Sequence, residues 1–247
     1  MSRQMKNNRK YRKYKKMRKR RFIRAILILL LTLSILFALG LVYLILNQFL
    51  GFQIRDIYQN IVYKNVDIVL DPGHGGKDPG ANIDDIVEKE ITQSIAYKTK
   101  LLLEEAGYQV AVTREEDTFI DLSERADFAN KRNAKVFVSI HCNSSEDGEG
   151  HGIETFYTDQ KSDDSLFLAE YLQQCIIDHT DANDREIKTA DYTVLIRTNM
   201  PSALVEVGFL TDYAERQLLM NDEYQGKIAE GIFQGVDLYF STEDMIE

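Results

Sequence analysis

The chain has 247 residues and a formal net charge of −9, a length that suits one membrane-anchored domain or two small ones. The charge is unevenly spread: residues 1–24 hold thirteen of the thirty Lys/Arg and none of the thirty-nine Asp/Glu, which leaves −22 on the rest. Two cysteines, Cys142 and Cys175, are too few for a disulfide scaffold; both lie in apolar-patterned segments, and buried thiols are expected.

Residues 25–46 carry no charge. As a helix they span about 33 Å, enough for a hydrocarbon core of roughly 30 Å, and they exceed the usual apolar core of a cleaved signal peptide. The expectation is an uncleaved, single-pass signal anchor in the cell membrane. The basic tail 1–24 stays cytoplasmic, and the bulk of the chain lies outside the cytoplasm. The tail reads as a topology signal attracted to anionic lipid rather than a nucleic-acid arm. Residues 47–64 form a connector, 65–241 a folded domain and 242–247 a short tail.

From Val66 the pattern becomes regular. Strands are expected at 66–70, 108–113, 135–140, 152–157, 192–196 and 203–207, and helices at 89–106, 121–132, 164–178, 212–220 and 223–240. Gly107 stops the first helix, and Asp121 with Glu124 has the spacing of a capping box. Strands alternating with helices predict an α/β domain around one mostly parallel sheet.

The glycine-rich turn after the first strand reads "GHGGKD". It lacks the third glycine of a dinucleotide fingerprint, where Asp78 stands instead, and it is no phosphate loop. It presents His74 at the carboxyl end of a strand, where open α/β sheets bind ligands. His141 ends the third apolar strand and can face the same crevice. Two histidines and a carboxylate are a common catalytic zinc set with a fourth position open to water. Glu88 and Glu90, at the start of the helix after the His74 loop, are the candidate carboxylates; acids there also complement the helix dipole, the preferred reading for Glu90. Glu206 interrupts an apolar strand. It needs a charge partner, a proton or a metal, and it reads either as an Arg-paired structural acid or as a general base.

"LDPGHGGKDPGA", "EKEITQSIA", "SERADFAN", "FVSIHCNS", "GIETFY" and "ALVEVGFLTD" occur in this order. Together they resemble the zinc-dependent N-acetylmuramoyl-L-alanine amidases of the third type, over about residues 66–240. The resemblance implies a six-stranded sheet flanked by helices and one Zn²⁺ ion. It assigns His74, Glu88 and His141 as metal ligands, so choosing Glu88 over Glu90, and Glu206 as the catalytic glutamate. It implies peptidoglycan as substrate and hydrolysis of the amide between N-acetylmuramic acid and the L-alanine of the stem peptide.

Cys142 stands where relatives often carry a small residue, and on a strand it should point away from His141 into packing. The stretch from His141 to Glu206 leaves no obvious room for the long inserted helix that plugs the zinc site in some relatives. No wall-binding repeats follow the catalytic domain, so the membrane anchor is expected to do the targeting. Arg197 could meet a stem-peptide carboxylate, though surface pairing is as good a reading. Asp71 or Asn143 could orient a ligand imidazole, and His151 and His179 read as bystanders. The competing functions are another zinc amide hydrolase acting on the wall and a non-catalytic wall-binding module. The oligomeric state is not legible.

Overall fold

The computed structural model describes residues 30, 34, 37–48, 65–161 and 163–243. The basic tail, residues 25–29, 31–33 and 35–36 of the expected anchor and nearly all of the connector lie outside them. Residues 37–48 are helical and exposed. Among the described residues no helix is long and apolar enough to cross a membrane. The chain divides into two compact units, residues 1–59 and 60–247, and the second holds the sheet.

That unit runs β1 (Ile68–Pro72), β2 (Asn82–Ile83), β3 (Ile86–Val87), α1 (Glu88–Glu105), β4 (Val110–Val112), α2 (Leu122–Lys131) and β5 (Val136–Asn143). It continues through β6 (Ile153–Tyr157), α3 (Asp164–Thr180), β7 (Asp184–Thr189), α4 (Thr193–Arg197), β8 (Ser202–Phe209), α5 (Tyr213–Leu219) and α6 (Asp222–Glu243). Six strands form one sheet in the order β4-β1-β5-β8-β6-β7. Four pairings are parallel; only β6 runs antiparallel to its neighbour β8. β2 and β3 form a separate antiparallel ribbon.

One expected strand, 192–196, needs correction, and one strand was not expected. Residues 193–197 form the helical turn α4, burying Val194 and Leu195 while Ile196 stays exposed. The sixth strand is instead β7, "DREIKT", which is polar and lies at the sheet edge.

β1 and β5 read as near-continuous apolar runs because helices cover both faces, as parallel strands require. On one face α1, α3 and α6 pack Ile95, Leu103, Leu168, Leu172, Ile228 and Ile232 onto the sheet. On the other, α2 and α4 bring Ala129, Val194 and Leu195 against Val69, Phe137 and Leu204. The capping box of α2 forms as expected: Ser123 N–H donates to the Asp121 carboxylate, and Glu124 reaches back to the Asp121 N–H. Gly107 ends the first helix region with a φ of 98°, a conformation that suits glycine. Cys142 and Cys175 are free and buried, with Cys142 in the larger core.

Candidate metal centre

Register places the site. His141 on β5 lies opposite Glu206 on β8, and Glu206 lies opposite Glu154 on β6. Cross-strand partners share a face, so the three form one row on the side covered by α2 and α4. Because β6 runs backwards, its beginning, not its end, meets the carboxyl ends of β1, β5 and β8.

His74 follows β1 with a φ of 61°, left-handed and uncommon for a residue with a side chain. Two buried arginines hold this turn in place. Arg125 donates to the carbonyls of Pro72 and His74 at 2.8 and 2.7 Å and to Asp71 Oδ1 at 2.8 Å. Arg114 donates to the carbonyls of Pro72 and Gly73 at 3.1 and 2.9 Å. Asp71 is therefore a buried counter-charge, also bonded by the Thr113 and Ser139 hydroxyls, and does not orient an imidazole.

Glu88 opens α1. Its Oε2 accepts the Ala81 N–H at 2.9 Å and its Oε1 the Cys142 N–H at 2.9 Å. His74 Nε2 and His141 Nδ1 stand 3.1 and 3.0 Å from the same Oε1. The two imidazoles meet nearly edge-on, centroids 4.9 Å apart at 80°. Burial works against ionisation of Glu88, but the hydrogen bonds from His141 and His74 outweigh it and hold the carboxyl far below the usual range. Glycines make the room: a Cβ at Gly73 would strike the His141 ring, and one at Gly80 would strike Glu88 Oε2.

One ligand atom from each of His74, Glu88 and His141 lies within 4.8 Å of the others. The 3.0–3.1 Å contacts approach the edge, about 3.4 Å, of a tetrahedron drawn around a zinc with ligands at about 2.1 Å. The donor set of two imidazoles and one carboxylate also fits zinc. The other nitrogen of His74, Nδ1, donates to Asp78 Oδ2 at 2.9 Å, so Asp78 fixes that ring. Sequence reasoning named Asp71 and Asn143 for this task. Asn143 in fact donates to Glu154 at 2.7 Å.

Glu206 has no arginine. Its Oε2 is buried without a hydrogen-bond partner among the described residues. Burial pushes its carboxyl up to about 7, with His141 opposing and the Glu88 and Glu154 carboxylates reinforcing the rise. Glu154, absent from the sequence-based candidates, is buried and paired with Arg185 at 2.8 Å and with Lys188. Its only sequence signal was an acid inside the apolar strand "GIETFY".

The remaining candidates fall elsewhere. Glu90 is exposed. Arg197 faces Asp127 at 3.8 Å at the end of α4 and precedes the far end of β8. His151 is exposed, and His179 Nδ1 bonds the Cys175 carbonyl within α3. Burial pushes the Cys142 thiol well up, the Glu88 and Glu206 carboxylates adding to it, so it packs as an uncharged thiol.

This fold recurs among known proteins. A family model described as N-acetylmuramoyl-L-alanine amidase matches residues 68–237. The crystal structure of an N-acetylmuramoyl-L-alanine amidase from Clostridium difficile 630 is 39% identical with a TM-score of 0.71; the match covers 73% of this chain and 99% of that one. The germination-specific amidase of Bacillus subtilis is 32% identical, covering 71% of this chain and 80% of its own length. The amidase LytC of the same organism is 35% identical over 70% of this chain, which spans only 35% of LytC. The chain belongs to the N-acetylmuramoyl-L-alanine amidase family.

Proposed function

We propose that the chain is a zinc-dependent member of this family. In this reading it hydrolyses the amide between N-acetylmuramic acid and L-alanine in peptidoglycan while tethered by its N-terminus to the outer side of the cell membrane. The single observation that carries the catalytic part is the convergence of His74, Glu88 and His141 beside a buried carboxylate with an unpartnered oxygen.

His74, Glu88 and His141 would hold the ion, with Asp78 keeping the His74 ring in orientation. Zinc, when bound, supplies Lewis-acid polarisation of the scissile carbonyl and lowers the pKa of water. Glu206 takes a proton from the attacking water through its unpartnered oxygen and returns it to the departing alanine nitrogen. In the metal-free chain burial raises this carboxyl, which favours its taking up a proton. No nucleophile from the protein is needed, and the uncharged Cys142 thiol takes no part.

The anchor rests on the uncharged run 25–46 behind thirteen basic residues. It supports a cytoplasmic N-terminus and an extracytoplasmic enzyme. The test of the chemistry is digestion of purified wall by the full chain. New alanine amino termini are expected; released acetate or termini internal to the peptide would replace the amidase reading with a deacetylase or a peptidase. The test of the anchor is sedimentation with membranes, which deletion of residues 25–46 should abolish.

A further inference from the structure

The row His141–Glu206–Glu154 does not stop at Glu154. β7 continues it with two cations. Arg185 Nε donates to Glu154 Oε2 at 2.8 Å, and Lys188 Nζ pairs with the same oxygen. Residues three apart on a regular strand point to opposite faces. These two converge because β7 is irregular: Ile153 pairs with Asp184 but Thr155 pairs with Ile187, so Arg185 and Glu186 together oppose Glu154. Glu186 takes a φ of 64° at that point. A bulge of this kind re-aims side chains and is common beside active sites.

Two cations meet one carboxylate. Glu154 is one carboxylate, and Asn143 already satisfies its Oε1. Two cations share its other oxygen. Arg185 spends only Nε on Glu154; its Nη1 makes a 3.5 Å contact with the His151 carbonyl, and its Nη2 has no hydrogen-bond partner among the described residues. Among the described residues no other acid pairs with either cation. Asp184 accepts from Gln173 at 2.6 Å and from the Glu186 N–H, and Glu186 forms no ion pair among the described residues. Both cationic side chains keep a third or more of their surface in solvent, 33% for Arg185 and 41% for Lys188. The Arg185 guanidinium also lies 4.9 Å from the Phe209 ring centroid, which stiffens it. Two cations sharing one carboxylate oxygen, both partly open to solvent beside the proposed base, are notable in a chain that carries −22 outside its first 24 residues.

We infer that Arg185 and Lys188, gathered by the β7 bulge around Glu154, form a subsite for a free carboxylate of the stem peptide. Adjacent strands lie about 4.8 Å apart, so the cations stand roughly one to two strand widths from Glu206. An extended residue covers about 3.4 Å. A carboxylate one or two residues beyond the scissile amide reaches them. The second stem residue qualifies when it is joined through its side chain, because its α-carboxylate is then free. Guanidinium and ammonium groups suit that ligand through charge-assisted hydrogen bonds. The stem-carboxylate contact weighed for Arg197, which pairs with Asp127, fits Arg185 instead.

This inference rests on the amidase reading of the same site, and its experiment separates the two. The purified full chain is given N-acetylmuramoyl-L-alanyl-D-isoglutamate and its D-isoglutamine counterpart, each with the γ-carboxyl capped as a methylamide, so that the two differ only in the α-carboxylate. The acid should be preferred in kcat/KM by roughly ten- to a hundredfold. The product L-alanyl-D-isoglutamate should inhibit more tightly than its amide. R185Q and K188Q should each narrow the acid-to-amide ratio, mainly through KM, and the double variant should bring it close to one. Equal cleavage of both compounds by the unmodified chain overturns the subsite and leaves the amidase reading standing. A ratio unchanged by either variant also overturns it, since loss of mere Glu154 pairing would slow both substrates alike. Cleavage of neither compound, with wall digestion also failing, removes the amidase reading and the subsite together.

Discussion

The two sides of the candidate site are built on opposite principles. On the side of β1 and β5, every group that could move is tied down. Arg125 and Arg114 grip the carbonyls of the His74 turn, Asp78 holds the His74 ring, and two backbone N–H groups hold Glu88. On the side of β8, β6 and β7, one buried carboxylate oxygen has nothing to bond, and two cations are only partly used. Over-determination suits ligands that must keep an ion's geometry. Unsatisfied groups suit atoms that bond only to what passes through. The contrast teaches that, within this site, the groups left only partly bonded are the ones placed to meet a substrate.

The strongest way to break this division is to empty the tied-down side. Chelation, or His141→Ala, should reduce turnover on wall material to background; metal content measured alongside should fall with it. Activity that survives in metal-free protein would end the zinc assignment. Next comes the loose side. Glu206→Gln should lower kcat by about 10²–10⁴-fold, the usual worth of a positioned acid–base group, with metal content unchanged. Loss of metal in that variant would make Glu206 a ligand and collapse the distinction.

Two further effects concern stability. Arg125→Met leaves Asp71 without its charge partner and should cost about 3–5 kcal/mol, as breaking a buried ion pair does; urea unfolding measures it. Glu206 should give a smaller, pH-dependent signature in chelated protein. Its carboxyl, ordinarily at 4.5, is raised to about 7 in the fold. Between those values the folded chain holds a proton that the unfolded chain has released. Its contribution is therefore present below pH 4.5 and is lost as the pH rises through 7, on the order of 3 kcal/mol in all. Unfolding profiles of the parent minus those of Glu206→Gln should show this slope, and parallel profiles would contradict the burial argument. Last, Asp78→Asn should weaken metal affinity by about 10–100-fold without removing the site, as read by competition with a chelator.

Much of this was legible in the sequence because it rested on strand ends. His74, His141 and Glu206 each follow or interrupt an apolar run, and burial makes such an interruption costly. The parallel sheet was visible for the same reason: β1, β5 and β8 are apolar on both faces. What failed has equally physical causes. "TVLIR" is apolar and short, so its periodicity cannot separate a turn of helix from a strand, and α4 was read as extended. "DREIKT" is an edge strand with a bulge; it lacks both a continuous apolar run and a clean alternation, so β7 was passed over. Asp78 could not be told from Asp71 because a loop with left-handed residues at His74 and Gly76 folds back on itself. Such reversals leave no periodic trace. Glu154 was hidden because its partners lie about thirty residues downstream on a strand that had not been recognised.

The reversal of β6 relative to β8 decides where this enzyme can be remodelled. Since β6 and β7 begin at the rim where the parallel strands finish, the segments entering them, residues 144–152 and 181–183, border the reaction crevice. Gly152 is gripped by Glu215 across that rim, and Asn183 donates to the His151 carbonyl. Lengthening them at their exposed residues, 146–149 and 181, adds a gate while leaving Ala182 packed on the core. The architecture therefore carries two splice points at which access to the crevice can evolve, or be engineered, independently of the machinery beneath.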